Sequence, residues 1–541
     1  MNNATSGSEL SFAEQKLLEL NAEDGFTSLV DAFNRAVEQF SDRPAFTCIG
    51  QTLSFTEIEL LSRQFGCYLL DHCGLVPGDR VAVQLPNISQ FPIAIWGILR
   101  AGLVVVNTNP MYTAREQLHQ FNDSGAKALV VLSDLLPVTE QVVPQTGIET
   151  VIATNAIDLL QQQPLPESSL SHLVSFVDAL ALSADKPLPA HSASMSDVAV
   201  LQYTGGTTGP SKGAILSHGN VFSGLRMSKL SIGFGAEDEP DLLIAPMPLY
   251  HVFGFTMNAV GGFVAGSHSV LIPNPRDIDS MVATMKQHQF TTMAGITTLL
   301  QGLMRHSQFD EIDFSKLKGI IAGGAALVKE VGDEWEARTG ARAFEGYGLS
   351  ETTSVLACNS PDKNRLGTVG AAMLYQEVKL IDDQGDSVAT GERGEICTRG
   401  AHVMQGYWNR PDATAEAIDT HGWFRTGDIG VMDEDGMISI VDRLKDMVIV
   451  SGFNVYPNEI EDVAYSHGDI IECAVVGVPD ERTGEAVKLF AVSTNPDLSE
   501  QQLKDYCREQ LTAYKVPKYV AFMNELPKSP VGKILRRELR D

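Results

Sequence analysis

The sequence predicts an α/β fold divided over more than one domain, and three observations carry that prediction. A chain of 541 residues is too long for one hydrophobic core. Its first third alternates short apolar strands with apolar-faced helices, the rhythm of a parallel sheet with crossover helices. Beyond residue 377 the rhythm changes to hairpin patterns, and beyond 446 to those of a separate small α+β domain.

The elements follow in order. Residues 80–85, RVAVQL, read as a strand and 90–101 as a helix. Residues 103–106, LVVV, form a second strand bounded by Gly102 and Pro110. Thr113 with Glu116 makes a capping box for a helix that stops before Ser124-Gly125. Residues 128–132 and 150–153 continue the parallel sheet, and the Gln-, Pro- and Ser-rich stretch 161–197 reads as a surface connection. Residues 242–275 contain no Asp, Glu, Lys or Arg, which raises the question of a membrane span. Four prolines, repeated glycine and an internal Tyr-His favour a buried strand and helix beside an apolar pocket instead. Residues 378–381 and 394–398 flank an Asp-Asp-Gln-Gly turn, and 432–441 repeats the pattern around Asp435-Gly436. Strands are expected again near 471–478, 486–492 and 519–522.

Composition narrows the function. A 44% hydrophobic and 20% charged content is that of a globular protein. The net charge of −28 argues against general nucleic-acid binding, because a polyanion would meet a repulsive field. From Leu503 to Asp541, however, nine Lys/Arg face five Asp/Glu, a local basic balance suited to a small polyanion or to a solvated helix face. Seven scattered cysteines without C-x-x-C spacing suit a reducing compartment and offer no metal site. The N-terminal MNNATSGSEL has neither the basic nor the apolar region of a signal peptide.

The densest chemistry lies in residues 203–214, YTGGTTGPSKGA: Tyr203, Thr204, Gly205, Gly206, Thr207, Thr208, Gly209, Pro210, Ser211, Lys212, Gly213 and Ala214. Glycine backbone can approach a phosphate closely, and its N–H groups, the hydroxyls and Lys212 supply donors for several anionic oxygens. The Gly-Lys-Ser/Thr ending of a Walker loop is missing, so a nucleotide-phosphate loop of another kind is expected.

Four further segments complete a pattern: EGYGLSETT (345–353), GWFRTGDIG (422–430), DRLKDMVIVSGFNVYPNEIE (442–461) and PKSPVGKILRREL (527–539). In this order and spacing the five motifs resemble the acyl-adenylate-forming superfamily from about Phe26 to the C-terminus. Within it they look most like the bacterial long-chain fatty-acid–CoA ligases. The resemblance implies a large N-terminal domain of mixed sheets with a small β-barrel-like part, and a small mobile α+β C-terminal domain. It places a flexible N-terminus at 1–25, the AMP-binding domain at 26–443, a hinge at 444–446 and the mobile domain at 447–541. The implied reaction joins a fatty acid to AMP with loss of pyrophosphate, then passes the acyl group to CoA, with Mg²⁺ as cofactor and ATP and CoA as co-substrates. A medium-chain or aryl acid, a carrier-protein thiol as acceptor, and a non-catalytic acyl-nucleotide sensor are the alternatives.

The resemblance also implies roles. Thr204, Thr207, Thr208 and Lys212 would hold the β- and γ-phosphates, and Glu351 with Thr204 would serve the metal. Ser350 stands where the family usually has threonine. Tyr347, between Gly346 and Gly348, would stack on adenine, with Gly323, Gly324 and Ala325 beside it. Asp428 would accept from the ribose hydroxyls, and Arg443 would contact the nucleotide. Lys445 would be the hinge, Lys533 would bridge carboxylate and α-phosphate, and Gly452 would line the CoA thiol channel. His251, Val252 and Phe255, with Thr292, Gly295 and Ile296, would border the acyl pocket, although His251 reads equally well as a structural histidine. The implied setting is cytoplasmic, with peripheral contact with the inner face of a membrane and a homodimer left open.

Overall fold

The computed structural model describes residues 11–204, 210–233, 240–353, 355–451, 453–480, 482–529 and 532–540. They fall into two compact units. One holds 11–377 and 398–424, the other 378–397 and 425–540.

The first unit is built on two sheets. One has seven strands, adjacent in the order Leu173–Ser175, Thr150–Thr154, Ala126–Leu132, Arg80–Gln84, Val104–Asn107, Val198–Thr204 and Lys212–Ser217. All neighbours are parallel except the last pair, which is antiparallel. Both faces are covered. Val81, Val83 and Val105 enter one core, while Ala82, Val104 and Val106 enter another with Phe121 and Leu129. A strand buried on both sides reads as a continuous apolar run, which is why these strands were visible in the sequence. The expected helix after Thr113 runs Ala114–Ser124 with its capping box formed, and ends at Gly125 with φ 61°.

The second sheet has nine strands, and five of its neighbours matter for the site. Strands His268–Leu271, Leu242–Ala245, Thr292–Gly295, Gly319–Gly323 and Ala343–Tyr347 lie side by side and parallel. One core is shared by the two sheets, since Phe46, Ala245 and Leu271 join Val81 and Val83 there. Asn87 stitches the sheets together. It follows the strand Arg80–Gln84, is buried, donates to Ala245 O and Met247 O at 2.9 Å each, and accepts from Leu249 N at 2.8 Å.

Two sequence readings are refined. Residues 161–197 are not wholly irregular, because Leu173–Ser175 adds an edge strand and Phe176–Ala181 a helix turned inward by Phe176 and Ala179. Three residues of edge strand are too few for periodicity to register. Residues 242–275 form the strand Leu242–Ala245, a helical stretch Val252–Gly254 that widens into a π-helix over Phe255–Gly262, and the strand His268–Leu271. Among the described residues no helix is long and apolar enough to cross a membrane.

The second unit takes most of a four-stranded sheet, Gln376–Ile381, Arg393–Gly400, Phe424–Met432 and Ile438–Arg443 in that order. A five-stranded sheet follows. Ile470–Asp480 pairs antiparallel with Gly484–Ser493, beside which Tyr519–Phe522 runs parallel. Ile460 and Ala464 of the helix Pro457–Tyr465, and Leu503 and Cys507 of Glu500–Gln510, cover one face. The expected strands near 471–478, 486–492 and 519–522 are all present.

Asn87 gives the first prediction. Asn87→Ala takes away the side-chain partner of Met247 O and Leu249 N, at about 1–3 kcal/mol for each buried group, whereas Ala245 O keeps its bond from Ile272 N at 3.2 Å. Hydrogen exchange of the Leu249 amide should accelerate on the order of tenfold or more. Unchanged exchange would show that Asn87 is not what ties the sheets.

Candidate active site

The structure gathers several of the first unit's predicted residues at one end of the nine-stranded sheet. Gly295, Gly323 and Gly346 lie at the C-terminal ends of three adjacent parallel strands, with Gly295 beside Ala322 and Gly323 beside Gly346 in register. Ligands of open α/β sheets bind at such ends, where the loops leave the strands. Ile296 is the N-cap of the next helix, and Gly324 continues with φ 86°. The loop holding Ala325 is fastened on both sides. Thr297 Oγ1 donates to Ala326 O at 3.0 Å and accepts from Val328 N at 3.2 Å, and Leu327 N donates to Glu345 Oε1 at 3.0 Å. Burial pushes the Glu345 carboxyl up to about 7. Tyr347 and Gly348 close the strand Ala343–Tyr347, whose last residue pairs with Ala357 and is half-buried. Thr292, at the far end of its strand, is three residues from Gly295, roughly 10 Å at strand spacing, and does not join this group.

The phosphate loop is described at its two limbs only; Gly205, Gly206, Thr207, Thr208 and Gly209 lie outside the described residues. Thr204 ends the incoming strand directly opposite Lys212, which starts the outgoing one, and Pro210 and Ser211 precede it. The helix Ala114–Ser124 braces both limbs. Asp123 Oδ2 accepts from the Tyr203 hydroxyl at 2.8 Å, and His119 Nε2 lies 2.8 Å from Ser211 O. Gly213 packs closely here, since a Cβ would stand 3.0 Å from the Tyr203 ring and the ring would have to give way. Ala214 is fully buried and bridges to Tyr407.

Glu351 and Ser350 sit in a 3₁₀ turn, Ser350–Thr352, just beyond Tyr347. Glu351 is 8% exposed, and its Oε1 accepts from the Tyr407 hydroxyl at 2.8 Å. Lys212 Nζ lies 5.0 Å from the centre of the Tyr407 ring. Tyr407 was not found from the sequence, because its contact with Glu351 spans 56 residues and leaves no local pattern.

His251 caps the short helix that follows it, its Nδ1 accepting from Phe253 N at 3.3 Å. The residues after it part company. Val252 and Phe255 point into the core shared by the two sheets, whereas Phe253 turns to the sheet end, its ring 3.3 Å from where a Cβ of Gly323 would be. Phe253 belongs to a separate apolar cluster with Met227, Met247, Ile321, Phe344 and Met373, against which Met257 and Ile296 pack. Methionine is flexible and polarisable, and adapts to irregular apolar shapes. Cys358 and Met373 of this cluster also line a cavity of about 180 Å³ with Leu230, Ser231 and Lys363.

The second unit carries its own set. Asp428 is 3% exposed and stands directly across the hairpin from Arg443, whose Nε is 3.1 Å from Asp428 Oδ1. Asp442, next to Arg443, accepts from Asn458 N at 2.8 Å and fixes this strand to the helix Pro457–Tyr465; burial raises its carboxyl to about 6. Lys445 is exposed on the turn that follows, and Gly452 lies outside the described residues. Lys533 closes a turn in which its N–H donates to Ser529 Oγ at 3.1 Å and its carbonyl accepts from Ser529 N at 2.7 Å. Burial, and then the nearby Arg443, Lys445 and Arg536, push its ammonium down to about 7 against the pull of Asp428. Cations crowded in this way favour an arriving anion.

Among the described residues no group of three or more His, Cys, Asp or Glu could hold a metal. Glu351 and Thr204 are hard oxygen donors, and a single carboxylate suits a Mg²⁺ ion carried mainly by phosphate oxygens and water.

Residues 33–408 match the model of the AMP-binding enzyme family, and 459–533 match that of the AMP-binding enzyme C-terminal domain. The chain is 45% identical over 533 residues to a long-chain-fatty-acid–CoA ligase of Salmonella typhimurium, covering 96% of this chain and 95% of that one. It is 44% identical, with the same coverage, to the protein of that name from Escherichia coli O157:H7. Among solved structures, ATP-bound MatB from Rhodopseudomonas palustris superposes with a TM-score of 0.85 at 29% identity, over 94% of this chain and 98% of that one. The chain belongs to the AMP-binding enzyme family.

Proposed function

We propose that this protein activates a long-chain fatty acid with ATP, forming acyl-AMP and pyrophosphate, and then transfers the acyl group to the thiol of CoA. The observation that supports this best is a single sheet end serving two chemistries. Gly323 and Tyr347 end adjacent strands there, Glu351 follows four residues later, and Phe253 brings the methionine-rich cluster against Gly323. Relatives named long-chain-fatty-acid–CoA ligase, similar over nearly the whole chain, support the same reading.

A thiol cannot displace hydroxide from a carboxylic acid, so the oxygen must first become part of a good leaving group. In the first step a carboxylate oxygen attacks the α-phosphorus and pyrophosphate departs. In the second the thiol sulfur attacks the carbonyl carbon and AMP departs. Chemistry of this sort needs position and charge neutralisation rather than a protein nucleophile. Lys212 and Thr204, with Thr207 and Thr208, hold the β- and γ-phosphates. Glu351 and Thr204 would hold Mg²⁺, which when bound offsets charge on the departing pyrophosphate. Gly323, Gly324, Ala325 and the Gly346-Tyr347-Gly348 strand end receive the adenine, and Asp428 with Arg443 takes the ribose side. Lys533 offsets the repulsion between carboxylate and α-phosphate. Lys445 serves as the hinge between the two steps, and Gly452 leaves room for the thiol. The alkyl chain lies along Phe253, Met227, Met247 and Met373.

Lys533→Ala should nearly abolish acyl-AMP formation while conversion of supplied acyl-AMP to acyl-CoA largely persists, measured in single-turnover assays of each step. Equal loss in both steps from a folded variant would contradict the role given to Lys533.

The apolar bed makes turnover rise with acid chain length up to a limit, at about 0.8 kcal/mol for each methylene buried. Met373→Phe should move that limit to shorter acids and leave the ATP requirement unchanged, as read from kcat/KM over a graded series of acids. A wild-type profile in the variant would mean that the chain lies elsewhere.

A further inference from the structure

The outgoing limb of the phosphate loop, Lys212–Ser217, is flanked on its free edge by a segment that the function above does not use. Gln405 N donates to Ile215 O and Ile215 N to Gly406 O, each at 2.9 Å, and Trp408 N donates to Gly213 O at 2.7 Å. The segment thereby acts as a short extra strand, and it presents Tyr407 to two charged groups at once. The hydroxyl donates to Glu351 Oε1 at 2.8 Å, while the ring lies under Lys212 Nζ at 5.0 Å from its centre. Met404 N also donates to Glu351 O at 2.8 Å, so the four residues from Met404 to Tyr407 hold both the backbone and the carboxylate of the glutamate.

The segment is itself held from several sides. Tyr407 N donates to Thr414 Oγ1 at 2.9 Å. Trp408 Nε1 and Asn409 Nδ2 donate to Asp123 O at 3.1 and 3.2 Å, and Arg410 pairs with the Asp123 carboxylate at 3.0 Å. Upstream, Asn220 Nδ2 donates to Ala401 O and Val403 O at 2.8 Å each. Asp123 is the same residue that braces Tyr203 on the incoming limb. One carboxylate therefore connects the phosphate loop with the segment that carries Tyr407.

An ammonium and a carboxylate in one pocket attract each other, and a direct pair would consume donors and acceptors that a ligand needs. An aromatic ring between them changes this. The π face attracts the ammonium through its charge and leaves the N–H groups to point elsewhere. The phenol donates a charge-assisted hydrogen bond to the carboxylate and fixes its plane. We propose that Tyr407 is a positioning residue that keeps Lys212 and Glu351 apart and aimed at a triphosphate and its divalent cation. The proposal rests on the roles given above to Glu351 and Lys212.

Tyr407→Phe removes the hydroxyl and keeps the ring, Tyr407→Leu removes both, and Glu351→Gln tests the parent reading. Pyrophosphate release is measured against free Mg²⁺ at saturating acid and ATP, and Mn²⁺ binding in the presence of ATP is followed by electron paramagnetic resonance. Tyr407→Phe is expected to raise the Mg²⁺ concentration for half-maximal rate, and to weaken Mn²⁺ binding, by about tenfold. Its conversion of supplied acyl-AMP to acyl-CoA and its melting temperature should stay near wild type. Tyr407→Leu should in addition raise the KM for ATP, because the contact with Lys212 is lost. Wild-type metal dependence in Tyr407→Phe, alongside an impaired Glu351→Gln, would overturn the role of Tyr407 alone. Equal loss in both half-reactions would overturn it in favour of a general packing role. Wild-type metal dependence in Glu351→Gln would overturn the reading of Glu351 and this proposal with it.

Discussion

Two anions must meet in the reaction proposed here, and holding charges close together at fixed positions is the constraint on which this account depends. In the second unit Lys533 sits near Arg443, Lys445 and Arg536, and its ammonium is pushed down to about 7. Left alone, such a cluster would repel itself. It is sustained by carboxylates on the surrounding elements. Arg443 pairs with Asp428, and Arg536 with Glu461 at 2.7 Å and Asp446 at 3.5 Å. Burying paired charges rarely adds net stability, so arrangements of this kind are better explained by what they bind than by what they hold together. In the first unit Tyr407 touches charges of opposite sign, its hydroxyl bonded to the Glu351 carboxylate and its ring beneath the Lys212 ammonium.

Fixed charges need a rigid support, and the packing of the first unit supplies it. Its two sheets share one core and are each covered on the opposite face, so strand ends have little freedom to shift. Side-chain amides do the joining by bonding buried backbone groups. Asn87 satisfies three groups between Ala245 and Leu249, and Asn220 satisfies two carbonyls between Ala401 and Val403. The bonded backbone groups lie just before His251 in one case and Tyr407 in the other.

Much of this was legible from sequence where the signal is local. The buried parallel strands appear as apolar runs, and the helix from Ala114 is announced by its capping box. Of the five motifs, the first falls on the limbs of the phosphate loop, the second on the strand end at Tyr347, and the third and fourth on the Asp428–Arg443 hairpin. What escaped depends on direction or on distance along the chain. Phe253 and Phe255 are two residues apart, yet a helical path sends one to the sheet end and the other into the shared core. No periodicity distinguishes them in so short a helix that then widens into a π-turn. Tyr407 meets Glu351 only because an edge segment pairs with a strand almost two hundred residues earlier, and nothing near Tyr407 in sequence records that pairing.

The most direct test is exchange of labelled pyrophosphate into ATP by the purified full-length protein, with a long-chain fatty acid and without CoA. Acid-dependent exchange, with thioester formed only when CoA is then added, is the result that the account predicts. Exchange that ignores the acid, or thioester formed without any acid-dependent exchange, would contradict an acyl-adenylate as the intermediate and with it the reading of both units.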